Sequence, residues 1–212
     1  MRDARYSTLM SLSLRHLALI WRQVLAYLAV FALLGLSTPL VGTESTGLAG
    51  FLLYFAGQYW LFRALLQPRG LLQTTRIHFF AFVGLAIVLI LPIIFGLAML
   101  IMPGLFLVAR WIAAPAFIVA RGQGLFAATE SSASAVRGNT ARVAGAAVVL
   151  FLIVVAISGV LEAIGRALGW GDGIGALDLV EAHLLPLALL GLSTATYELL
   201  GPEDTAIEEI FG

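Results

Sequence analysis

The chain contains no cysteine and no lysine, and only 11% of its 212 residues are charged. Without cysteine there is no disulfide framework, no thiolate nucleophile and no sulfur-ligated metal, and the redox compartment stays open. Charge this sparse excludes an ordinary water-soluble domain, where about 25% of residues are charged. With 61% hydrophobic residues, a soluble core would have too few polar groups to cover it. The formal net charge is zero, so the balance points to neither nucleic acid nor an acidic soluble substrate. Three scattered histidines lack zinc-ligand spacing, and neither a GxSxG elbow nor a P-loop occurs. The expectation is a protein that is not an enzyme, with no catalytic residues, no metal and no cofactor.

What is present is apolar sequence in long runs. Six stretches, Val24–Val41, Gly47–Leu66, Phe79–Met102, Leu105–Ala120, Val143–Ile164 and Leu177–Leu200, are each about long enough to cross a bilayer. Backbone polar groups in hydrocarbon must pair internally, and these runs lack the in–out alternation of a lipid-facing barrel, so helices are expected. The fold class is therefore all-α: a polytopic transmembrane bundle of six spans forming one integral membrane domain over 1–212. The connections leave no room for a second globular domain.

Arginine sets the direction. Arg2, Arg5, Arg15 and Arg22 precede the first span, Arg69 and Arg76 follow the second, and Arg121, Arg137 and Arg142 follow the fourth. The positive-inside rule makes these three regions cytoplasmic, and both termini with them. The opposite connections hold Glu44, the Pro103-Gly104 turn, and Arg166 with Asp172. Near the start, Arg15, His16 and Arg22 interrupt the apolar run and no small-x-small site follows, so an uncleaved segment is expected. Read as an interfacial helix over 1–23, it dips Leu9, Leu12, Ile20 and Trp21 into the headgroup boundary while its arginines reach phosphates. A topogenic start before the first span reads the same residues equally well.

The third and fourth spans differ in length, 24 residues against 16, or roughly 36 and 24 Å at 1.5 Å per residue. Either the Pro103-Gly104 turn sinks below the outer surface, or Arg121 snorkels and the bilayer thins. Pro92 and Pro115 each remove a helix hydrogen-bond donor and add bends. Beyond them, Ala128, Ser132 and Ala135 fall on one narrow face with almost no side-chain bulk, in a short cytoplasmic helix around 124–138 that another helix can approach closely. Gly138-Asn139 is its expected stop.

Pro103-Gly104, Arg110, Pro115-Ala116, Ala128, Ser132, Gly138-Asn139 and Arg142, in that order and spacing, resemble the membrane-domain family attached to some bacterial glycerophosphoryl diester phosphodiesterases and its stand-alone multi-span relatives. The detailed likeness covers Met102 to Gly145. Ala135 departs from the family's usual larger aliphatic residue, and Glu130-Ser131 replaces a more basic stretch. The resemblance implies a bacterial inner-membrane protein connected with lipid or envelope homeostasis, with membrane lipids as partners. It does not imply phosphodiesterase activity, because the enzyme in such fusions is a separate barrel.

Charged residues inside the spans require partners. Arg110, placed about six residues into the fourth span, costs on the order of 2.5–3.5 kcal/mol to bury as an ion. Glu162, Asp178, Glu181 and His183 are the partners expected from the same outer half, with Arg63 and Glu198 as a second pair on the cytoplasmic side. These groups read as fasteners between helices, as a polar cavity for a lipid headgroup or small solute, or as a proton relay. Two functions follow. One is a non-enzymatic protein binding lipid, a membrane partner or a second copy of itself, marked by a lateral groove near Pro103–Arg110. The other is a small-solute or lipid transporter with a path lined by Arg110, Glu162, Glu181 and Glu198.

Overall fold

The computed structural model describes residues 5–167 and 175–201. All regular structure among them is helical: α1 (Tyr6–Leu19), α2 (Trp21–Val41), α3 (Thr43–Leu66), a 3₁₀ turn (Gln67–Arg69), α4 (Phe79–Met99), α5 (Ile101–Trp111), α6 (Ala114–Arg121), α7 (Leu125–Ala135), α8 (Thr140–Ala167) and α9 (Gly175–Leu200). Arg2, Asp172, the side chains of Glu44 and Asp178, and residues 202–212 with their four acidic groups lie outside the described residues.

Five segments are long and apolar enough to cross a membrane: Trp21–Thr38, Phe79–Gly96, Ile101–Arg121, Thr140–Ala167 and Val180–Leu200. The expected second span does form a continuous helix, α3, but is not in that set. Its C-terminal half carries Gln58, Tyr59, Trp60 and Arg63, which dilute the apolar run. The helices divide by role. Of the α9 segment 67% is buried, against 11% of the α4 segment, so α9 is the axis on which α1, α2, α3, α6 and α8 pack. Apolar side chains of α4 and α8, among them Leu91, Phe95, Leu152 and Val160, are exposed to the surroundings.

The α4–α5 hairpin corrects two boundaries. The chain reverses at Leu100, in extended conformation, and Pro103-Gly104 lie within the first turn of α5 instead of forming the turn. Proline is tolerated there because the N–H it lacks has no partner inside the helix anyway. The consequence is that α4 has 21 residues and Ile101–Arg121 also has 21, each about 31 Å. The expected mismatch between the two crossings disappears. Gly104 sits directly against Gly96; a Cβ on Gly96 would meet the Gly104 backbone at 3.1 Å. Small residues bring these two backbones together, as is common between membrane helices.

The interfacial reading of the first helix also changes. Leu9 and Ile20 are buried in the protein, not turned outward, because α1 lies against α9 and α8 with Leu9, Ser13 and His16 inward. Gly191 makes this approach possible: a Cβ there would stand 2.9 Å from Ser13 Oγ. Leu14, Leu19 and Trp21 remain exposed, with the Arg22 guanidinium 5.4 Å from the Trp21 ring. At the far end of α7, Gly138 adopts φ +83°, a conformation that favours glycine and ends the helical run.

Candidate functional site

Proline shapes the centre of the bundle. Pro115 follows the break between α5 and α6 and cannot donate to the preceding turn; Pro186 lies inside α9. Where these two interruptions face each other the helices do not close up. They leave a cavity of about 360 Å³ between α3, α4, α5–α6 and α9, the size of a small-molecule site. Its wall is almost wholly apolar, including Phe62, Phe82, Leu89, Ile93, Val108 and Leu189. Polar atoms come from Tyr54, Gln58, Trp111 and Ser193, and no described lining residue is Arg, Asp, Glu or His. The lateral groove expected near Pro103–Arg110 is thus displaced along the helix. Only Val108 of that stretch reaches the cavity, because Gly104 is used up in contact with α4.

The polar atoms are held from behind. Gln58 Nε2 donates to the Tyr27 hydroxyl at 3.3 Å, tying α3 to α2. The α5–α6 break is held by α7: Ser132 Oγ accepts from the Ala113 N–H at 3.2 Å and donates to the Arg110 carbonyl at 2.8 Å. One buried hydroxyl therefore satisfies both sides of the interruption. Ala128 is buried beside it, and Ala116 is buried on α6. Asn139 is buried as well, and its side-chain oxygen accepts from Arg142 Nη1 at 3.0 Å.

The charged residues assemble differently from expectation. Arg110 does not meet Glu162, Glu181 or His183. Because α5 begins at Ile101, Arg110 falls in its last turn, with the guanidinium 5.4 Å from the Phe106 ring and its carbonyl against α7. Glu162 pairs with Arg166 one turn along α8 at 3.1 Å, both well exposed. Such a pair is worth roughly 0–1 kcal/mol. His183 packs among rings, 3.7 Å from Phe31, 5.4 Å from Tyr27 and 5.7 Å from Tyr54 between centroids. Glu181 lies half-buried two residues earlier on α9.

The Arg63–Glu198 pair is replaced by another. Glu198 Oε2 accepts from Arg69 Nη1 at 2.5 Å and stands 3.0 Å from His16 Nε2, and Arg69 also touches His16. The 3₁₀ turn after α3 swings Arg69 beneath the end of α9, where Arg63 cannot reach; Arg63 Nη1 is buried without a hydrogen-bond partner. Burial and, after it, the Arg69 guanidinium push His16 down to about 4, so at neutral pH its ring is uncharged and the formal ion pair is Arg69–Glu198. Alongside, Arg121 Nε donates to the Tyr197 hydroxyl at 3.1 Å, fixing α6 to α9. These contacts lock α1, the 3₁₀ turn and α6 onto one end of α9. They were missed in the sequence because Arg69 reads there as an ordinary loop cation.

Among the described residues no three His, Asp or Glu side chains are close enough to share a metal ion. No family model, curated protein or solved structure matches the chain.

Proposed function

We propose that this is a non-enzymatic bacterial inner-membrane protein that binds lipid within the bundle and serves envelope or lipid homeostasis. The observation that carries this reading is the cavity. A 360 Å³ space walled by apolar side chains, in a chain whose helices expose apolar surface along much of their length, suits a hydrocarbon ligand delivered from the bilayer. The resemblance of the Pro103–Arg142 pattern to the membrane-domain family attached to some glycerophosphoryl diester phosphodiesterases implies a role in lipid or envelope homeostasis.

The membrane topology belongs to the same proposal: α3 is a sixth crossing, and both termini are cytoplasmic. Its support is the distribution of arginine. Arg5 and Arg15 precede α2, Arg69 and Arg76 lie between α3 and α4, and Arg121, Arg137 and Arg142 run from the last residue of α6 to the first turn of α8, while Arg166 closes α8 at the other end. The transport path through Arg110, Glu162, Glu181 and Glu198 has no such support, since Arg110 meets Phe106, Glu162 meets Arg166 and Glu198 meets Arg69 in three separate places.

The test is lipid recovery. Protein extracted in native nanodiscs, then stripped into detergent, should retain a bound lipid detectable by native mass spectrometry. Ala86→Phe, which fills the cavity from α4, should lose it. Equal retention by both proteins would refute the cavity as the binding site.

A further inference from the structure

The hexapeptide Leu-Leu-Gly-Leu-Ser-Thr occurs at 33–38 in α2 and again at 189–194 in α9, and its two serines behave differently. In α2, Ser37 Oγ donates to the Leu34 carbonyl at 2.7 Å and Thr38 to the same carbonyl at 3.3 Å. In α9, Thr194 repeats the second bond, donating to the Leu190 carbonyl at 2.8 Å. Ser193 does not repeat the first. Its hydroxyl is buried, with 2% of the residue exposed, it has no hydrogen-bond partner, and it lines the cavity. A serine in a helix can satisfy itself by back-bonding to its own turn. One that forgoes this while buried leaves both a donor and an acceptor uncompensated.

We propose that the cavity takes an alkyl or acyl chain whose buried end carries a neutral hydroxyl, as in a fatty alcohol or a mono- or diacylglycerol, and that Ser193 pairs with it. This rests on the lipid-binding reading above and narrows it. A purely hydrocarbon occupant would leave Ser193 unpaired. A carboxylate or phosphate would be desolvated in a wall that offers no cation, a far larger penalty than for a hydroxyl. The remaining polar groups are of the same neutral kind: the Tyr54 hydroxyl, the Gln58 amide, held by Tyr27, and the Trp111 indole. A neutral end that both donates and accepts matches this set.

The experiment uses the full chain in nanodiscs with three photoreactive probes of matched length carrying a mid-chain diazirine: hexadecanol, hexadecanoic acid and hexadecane. Crosslinked cavity residues are quantified by peptide mass spectrometry. Hexadecanol should label them most strongly, and Ser193→Ala should cut hexadecanol labelling about fivefold, the loss of one net hydrogen bond, while leaving hexadecane labelling unchanged. Because Ser193 bonds nothing in the protein, Ser193→Ala should keep the wild-type melting temperature. A marked drop would show a structural role and overturn the proposal. Labelling by the acid equal to the alcohol, or insensitivity of the alcohol to Ser193→Ala, would overturn the neutral-end assignment while leaving lipid binding standing. Absence of cavity labelling by all three probes would overturn both.

Discussion

The Ser132 hydroxyl donates to the Arg110 carbonyl across 2.8 Å and, through the same oxygen, receives the Ala113 N–H. This bridge lets the chain change helix inside a packed interior. Removing it leaves a backbone donor and a backbone acceptor buried without partners, at about 1–3 kcal/mol. Ser132→Ala is expected to lower unfolding stability in detergent by about that amount. Unchanged stability would show that the break needs no such support.

The Gly96–Gly104 contact makes the hairpin sensitive to bulk. Gly96→Leu would drive a side chain into the Gly104 backbone, since even a Cβ would lie 3.1 Å away. Overpacking of this kind costs typically about 1–3 kcal/mol. The expected result is a lower melting temperature in detergent for Gly96→Leu; an unchanged value would show that the two backbones do not touch.

His16 gives a pH dependence of definite sign. Its folded value lies near 4, below the ordinary 6.5, so the unfolded chain takes up a proton that the folded chain refuses. The contribution to stability is complete above 6.5, falls as pH drops from 6.5 toward 4, and levels off below. Thermal unfolding in detergent across this window should show the fall, and His16→Gln should flatten that part of the slope. An identical slope in the variant would remove His16 from the account.

Arg110 is expected to be a modest contributor. Its guanidinium faces the Phe106 ring, an interaction worth about 0.5–1 kcal/mol at exposed sites. Arg110→Leu should shift stability by no more than about that, and charge changes at Glu162 should neither rescue nor worsen it. A large loss repaired by a substitution at Glu162 would restore the outer-half pairing.

The helices were legible because hydrocarbon-compatible runs are long and uninterrupted, and α2, α4, α8 and α9 lie close to where the runs place them. Their ends were less so. Pro103 reads as a turn residue, yet the first turn of a helix accepts proline, and this moved the α5 start back to Ile101 and Arg110 away from Glu162. The Arg69–Glu198–His16 cluster was hidden because Arg63 and Arg69 both close the second span, and only the 3₁₀ turn decides which reaches α9. The cavity was illegible for a similar reason. Pro115 and Pro186 are distant in sequence, and nothing local says that their helix interruptions face each other. The unpaired state of Ser193 is invisible too, since Ser37 sits in the same six residues and bonds its own helix.

Trp111 lines the cavity, and this offers the most direct test of the lipid-binding account. The measurement is fluorescence quenching in bilayers of mid-chain brominated lipid, with Trp111 as the single tryptophan after Trp21, Trp60 and Trp170 are changed to phenylalanine. The account predicts strong quenching of Trp111 that Ala86→Phe largely abolishes. Fluorescence that brominated chains leave undimmed, or quenching that the filled variant retains in full, would contradict it.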